Sequence, residues 1–119
     1  MVLADTSIWI DHFRTEGHGL GHLLARGEVL THWIVIGELA TGNLHNRTNT
    51  MHHLRKTTRV PSATELEALA LIENQRLFGK GIGWNDLQLL ASALIHSVPL
   101  WTRDKRLRVI AKKLHISWD

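Results

Sequence analysis

Four acids in this chain occupy places where ordinary surface charge is an incomplete account of them. They are Asp5 in "ADTS", Glu38 in "VIGELA", Asp86 in "WNDLQLLASAL" and Asp104 in "WTRDKRLRVIAKK". Each has a structural explanation. Asp5 and Asp86 can cap helices or complement their dipoles, Glu38 can face solvent, and Asp104 can pair with Arg103 or Arg108. As a set they offer different chemistry. Carboxylates gathered from distant parts of a chain repel unless a cation lies among them. A hard divalent ion, Mg²⁺ or Mn²⁺, takes such oxygen ligands and keeps several waters. It can polarise a phosphate oxygen and lower the pKa of bound water to make a nucleophile.

The cations around Asp104 suit the same chemistry. Arg103, Lys105, Arg106, Arg108, Lys112 and Lys113 crowd one stretch, with a smaller group at Arg55, Lys56 and Arg59. Such residues neutralise phosphates that flank a cleavage point and steer a polyanion toward the metal. The net charge of +3 adds little, since a solvated basic face explains it equally well.

To bring the four acids together, the elements must carry them to one rim. "VLA" (2–4) is an apolar run ending at Asp5, and Thr6 or Ser7 can cap the helix that follows, with Trp9 and Phe13 sharing its buried face. A short helix over 21–27 and a strand over 29–32 come next, then a helix over 33–42 stopped by Gly42. The pattern predicts a helix over 46–56 and a short strand at 59–60. It predicts another helix opening at "PSATE", with Ser62 and Glu65 at capping-box spacing and Leu66, Leu69, Ala70 and Leu77 in its body. Leu87, Leu90, Ala91, Leu94 and Ile95 give a helix from Asn85 or Asp86 to His96 its apolar stripe. A strand over 98–102, a helix over 104–113 and a strand over 115–118 complete the chain. This alternation predicts an α/β domain with a mainly parallel sheet, whose ligands bind beyond the carboxyl ends of the strands. Asp5 and Asp104 each stand just past such an end.

In order and approximate spacing, "ADTS" (4–7), Glu38 in "VIGEL", Asp86 in "NDLQLLASAL" and "LWTRD" (100–104) resemble the acidic motifs of PIN domains. The likeness is closest to the short VapC-type toxins of toxin–antitoxin pairs, and it covers essentially the whole chain. It implies a three-layer α/β/α sandwich with a sheet of four to five strands, acting as a metal-dependent endoribonuclease on RNA. The family's catalytic acids map onto Asp5, Glu38, Asp86 and Asp104, with Asp5, Asp86 and Asp104 holding Mg²⁺ or Mn²⁺ and Glu38 serving the attacking water. Thr6, Ser7 and Thr102 fall on its hydroxyl positions, and Arg103, Lys105 and Arg106 are placed to grip the RNA backbone. A homodimer and a cognate antitoxin that covers the acidic cleft are further implied. The chain departs from many relatives at Leu87, where they carry alanine, and at Arg106 and Leu107, where they carry an acid and an aromatic. With fewer carboxylates, one ion is expected rather than two.

Two other classes compete. A non-catalytic RNA-binding or scaffolding domain could keep this fold, although all four acids are present. A phosphotransfer enzyme also begins with an acid at a strand end. The haloacid dehalogenase kind, however, needs a second Asp where Ser7 stands, and the receiver kind needs an acidic pair that "MVLAD" lacks. His18 and His22 have a zinc-like spacing but are interleaved with glycines, while His52 and His53 point to different faces of a helix. The tryptophans are core or interface residues, with Trp84, two before Asp86, also able to stack a base. "GKGIG" (79–83) does not match a phosphate loop.

At 119 residues the chain is one domain, 1–119, large enough for a single core. The absence of cysteine removes disulfides and thiolate metal sites. Asp5 interrupts the leading apolar run, so no signal peptide is expected, and no stretch is apolar for long enough to cross a membrane. A cytoplasmic protein is expected.

Overall fold

Val2, Leu3 and Ala4 are wholly buried, an apolar run with no polar face to turn outward. Such a run belongs in the centre of a parallel sheet covered on both sides, and it is β1 (Val2–Ala4) of the computed structural model, which describes residues 1–14 and 19–119. β1 is flanked in parallel by β2 (Val29–Leu30) and β3 (Leu100–Trp101), giving the order β2-β1-β3. The registers pair Val2 with Val29, Leu3 with both Leu30 and Leu100, and Ala4 with Trp101.

Around this sheet lie α1 (Thr6–Arg14), α2 (Gly19–Ala25), α3 (Trp33–Thr41), α4 (Arg47–Lys56), α5 (Glu65–Gln75), α6 (Trp84–Ile95) and α7 (Lys105–Lys113). The predicted α/β class and helix order are therefore observed. The sheet is smaller than the expected four to five strands. Among the described residues, the segments at 59–60 and 115–118 contribute only single parallel bridges, Thr31 with Arg59 and Leu100 with Ser117. Pro61 has no N–H to continue the first ladder. His115, at φ 58°, delays the second until the chain has turned.

Three helices differ from expectation in their details. The capping box of α5 belongs to Thr64 and Glu67, not to Ser62 and Glu65. The Glu67 N–H donates to Thr64 Oγ1 at 3.1 Å, and the Thr64 N–H donates to Glu67 Oε1 at 2.9 Å. Ser62 instead accepts the Trp33 indole N–H at 3.2 Å. The face of α5 turned to the core is that of Ala68, Leu71 and Ile72, so Leu66 and Leu69 lie outside it, 79% and 43% exposed. On α6 the buried set Leu87, Leu89, Leu90, Ala91 and Ala93 is wider than a stripe, because α6 packs on both α5 and β3, while Ile95 is exposed. Trp9 is buried, but Phe13 is exposed at the other end of the predicted pair.

His32, assigned to a strand by the sequence pattern, ends it. Its Nδ1 accepts the Ile34 N–H at 3.1 Å and so caps α3, and its Nε2 lies 3.0 Å from Ser92 Oγ on α6. Burial holds its imidazole neutral, lowering its pKa from 6.5 to about 4. The unfolded chain therefore binds a proton that the folded one refuses. This contribution to stability is complete above pH 6.5 and is lost as pH falls toward 4. In urea titrations, His32→Gln, which carries no titratable ring, will show a shallower fall in midpoint than the parent across that window.

Candidate functional site

The register that sets Ala4 against Trp101 carries the next residues of both strands out side by side. The Asp5 N–H donates to the Trp101 carbonyl at 3.0 Å, and the Asp5 carboxylate then faces Thr102, whose hydroxyl donates to Oδ2 at 2.5 Å. Oδ1 accepts the Ser7 hydroxyl, the Ser7 N–H at 2.9 Å and the Ile8 N–H at 3.3 Å. Asp5 thus caps α1, the place expected for Thr6 or Ser7. Both hydroxyls also accept from the backbone after β3: Ser7 Oγ takes the Arg103 N–H from across the rim and Thr102 Oγ1 the Asp104 N–H of its own segment, each at 3.0 Å. Burial pushes the Asp5 carboxyl above its ordinary range, and the Ser7 and Thr102 hydroxyls with the Ile8 and Ser7 N–H groups pull it partly back.

The other acids are held from different elements. Glu38, half-buried on α3, accepts the Thr6 hydroxyl on Oε1 at 2.7 Å. Asp104 is exposed and caps α7, accepting the Leu107 N–H at 2.9 Å. Neither neighbouring arginine pairs with it: Arg103 binds Asp11 at 2.9 Å and Arg108 binds Asp119 at 2.6 Å. Asp86 stands half-buried in the first turn of α6, and its carboxyl is pushed up from 3.8 to about 6. Burial is the main cause, followed by the negative charges of Asp5, Asp104 and Glu38. The fold therefore brings all four predicted acids into one electrostatic neighbourhood, and the predicted hydroxyls hold two of them. As the side chains stand, no three Asp, Glu or His residues among those described form a set that could hold a metal ion.

The predicted cations fare differently. Lys105 is exposed, but the Arg103 side chain is engaged with Asp11. Arg106 reaches back over the glycine loop, its Nη1 at 3.5 Å from the Gly81 carbonyl oxygen. Gly81 has φ +81°, a backbone conformation that residues with a Cβ rarely adopt, so the loop needs glycine at this point. Trp84 opens α6 at 46% exposure, close in sequence to Asp86. His18 of the zinc-like pair lies outside the described residues. The sequence pattern missed two participants, the capping and cross-linking His32 and the Asp11 partner of Arg103. A histidine directly before an apolar helix start is the signal that points to the first.

Residues 2–113 match the family model described as the PIN domain. The chain belongs to the PIN domain family. Ribonuclease VapC32 of Mycobacterium tuberculosis strain CDC 1551 / Oshkosh is 42% identical to this PIN domain over 109 residues, 91% of this chain and 88% of that protein. The protein of the same name from strain ATCC 25618 / H37Rv gives the same figures. Ribonucleases of the PIN family generally use divalent metal ions.

For this PIN domain the raised Asp86 carboxyl has a direct consequence. Its neutral form is favoured on folding, so the metal-free protein loses stability as pH rises from 3.8 toward 6 and bears the whole penalty above that. Asp86→Asn will raise the unfolding free energy at pH 7.5 by about 1–2 kcal/mol, a figure reduced from the full linkage value because the site is half open to solvent. Thermal unfolding in the presence of a chelator measures it.

Proposed function

We propose that this chain is the toxin of a toxin–antitoxin pair, a metal-dependent endoribonuclease that hydrolyses RNA phosphodiester bonds. The observation that carries the reading is the mutual repulsion at Asp86, where four carboxylates crowd with no arginine or lysine paired to them among the described residues. Such a set has oxygen donors only, which fits Mg²⁺ or Mn²⁺. Asp5 Oδ1 is saturated by three donors, while Oδ2 accepts only the Thr102 hydroxyl and keeps a lone pair. On Asp104, Oδ1 is engaged by the Leu107 N–H, and Oδ2 accepts no bond among the described residues. Each thus has one oxygen to offer, and with Asp86 as the third ligand the side chains would close up from the wider spread they have without an ion. When bound, the ion lowers the pKa of a coordinated water and neutralises charge on the phosphate.

The protein's own groups do the rest. Ser7 and Thr102 hold the Asp5 carboxylate in place against the pull of a cation. Thr6 aims Glu38, which orients the attacking water or takes its proton. Lys105 contacts the RNA backbone directly, and Arg103 and Arg106 join it by exchanging Asp11 and the Gly81 carbonyl for phosphates. Water as nucleophile leaves 5′-phosphate and 3′-hydroxyl ends. The lack of an acid at Arg106 favours a single ion. We also assign the two single bridges to the edges of a five-stranded sheet in a three-layer sandwich. An antitoxin segment over the acidic rim, a homodimer and a cytoplasmic setting complete the reading. No helix is long and apolar enough to cross a membrane among the described residues.

The test is RNA cleavage with Mg²⁺ or Mn²⁺ by the parent and by Asp5→Asn, Glu38→Gln, Asp86→Asn and Asp104→Asn. Each variant is expected to lose on the order of 100-fold or more in rate, and sequencing of the parent's products will show 5′-phosphates. Undiminished cleavage by the Asp5 and Asp104 variants overturns the assignment.

A further inference from the structure

Glu38 and Asp86 sit on helices that share little packing, since α3 rests chiefly on α1 and α4, and α6 on α5 and β3. A cavity of about 300 Å³ lies where the two helices approach, lined by Trp33, Ile34, Gly37, Glu38 and Thr41 of α3 and by Asn85 of α6. At that place the helices face each other across an opening rather than in close packing. A polar tie crosses between the helices elsewhere, from His32 Nε2 to Ser92 Oγ at 3.0 Å, with both residues wholly buried. Glu38 is six residues beyond His32 and Asp86 six before Ser92, each about 9 Å along its helix.

The hydrogen bonds of this tie admit only one arrangement. Ser92 donates its hydroxyl proton to the Gln88 carbonyl at 2.7 Å, so its lone pairs accept from the Ala63 N–H at 2.9 Å and from His32. His32 Nδ1 accepts from the Ile34 N–H and carries no proton, so Nε2 is the donor. Each of these side-chain atoms has its partner, and the network fixes the start of α3, the middle of α6 and the approach to α5 at one point. A buried polar network satisfied in this way holds a unique geometry more firmly than apolar contact does.

We infer that His32 is a positioning residue for the acidic site, its bond to Ser92 setting the distance between the helix that bears Glu38 and the helix that bears Asp86. The role in catalysis rests on the ribonuclease reading above, but the geometry can be tested without it. His32→Asn keeps an acceptor for the Ile34 N–H and is too short to reach Ser92. His32→Gln carries an amide N–H to the place of Nε2 and gives up the cap. Ser92→Ala keeps helix and cap and removes the shared acceptor.

Two readouts separate positioning from mere stability: the Asp86 carboxyl titration in metal-free protein, followed by carbon-detected NMR, and the Mn²⁺ dissociation constant by calorimetry. His32→Asn and Ser92→Ala are expected to weaken Mn²⁺ binding on the order of 10-fold and to move the Asp86 midpoint. His32→Gln is expected to keep both at parental values despite a lowered Tm. Lowered Tm with unchanged titration and affinity in His32→Asn and Ser92→Ala overturns the inference, as does His32→Gln behaving like His32→Asn. If the histidine variants do not fold, Ser92→Ala decides by the same criteria. A parent that neither binds Mn²⁺ nor cleaves RNA defeats the ribonuclease reading, and the metal-free titration still decides the positioning.

Discussion

A single ionisable group at the carboxyl end of the central strand organises the rim of this domain. Asp5 is buried, and a buried carboxylate persists only where its oxygens are satisfied. Here the donors come from two places at once, the first turn of α1 and Thr102 beyond β3. The parallel register of β1 with β3 is what lets both reach it. The hydroxyls that serve Asp5 also accept from the backbone of residues 103 and 104, so strand pairing, helix start and acid placement form one hydrogen-bonded unit. Changing any one of them disturbs the others.

Electrostatics set a cost against this order. Asp86 is driven toward its neutral form by burial and by three like charges. His32 is driven toward its neutral form by burial alone. The two act in opposite directions on the pH dependence of folding. Acid relieves the crowded carboxylates and strains the buried imidazole, so across the pH window that the two share their contributions to the metal-free protein largely offset each other. Crowding like charges is a feature of sites that bind something of opposite sign, and it is tolerated at the expense of stability.

Much of this arrangement was legible in the sequence. The acids and their hydroxyl neighbours sit in short motifs whose local signals are strong: an apolar run, then an acid, then a helix start. Asp5 and Asp104 were placed by that pattern, and the structure makes each of them a helix cap as well. Periodicity failed where the deciding partner was distant. The box of α5 moved to Thr64 because Ser62 is claimed by Trp33, twenty-nine positions away. Leu66 and Leu69 carry a helical spacing but face away from α6, which meets the small Ala68 face instead. His32 read as strand because nothing nearby in sequence announces Ser92. The cations around Asp104 were legible as charge, but not that Arg103 and Arg106 already have partners in Asp11 and Gly81.

The bond between Thr102 and Asp5 spans ninety-seven positions of sequence. Contacts of such separation form late, because closing a long loop costs entropy before any contact repays it. A chain growing from the ribosome exposes Asp5 well before Asp104. Until that later segment has emerged and settled against β1, the hydroxyl clasp on Asp5 is incomplete and the four acids are not assembled. A copy that has emerged only as far as α6 thus carries Asp5, Glu38 and Asp86 without the segment that completes the site.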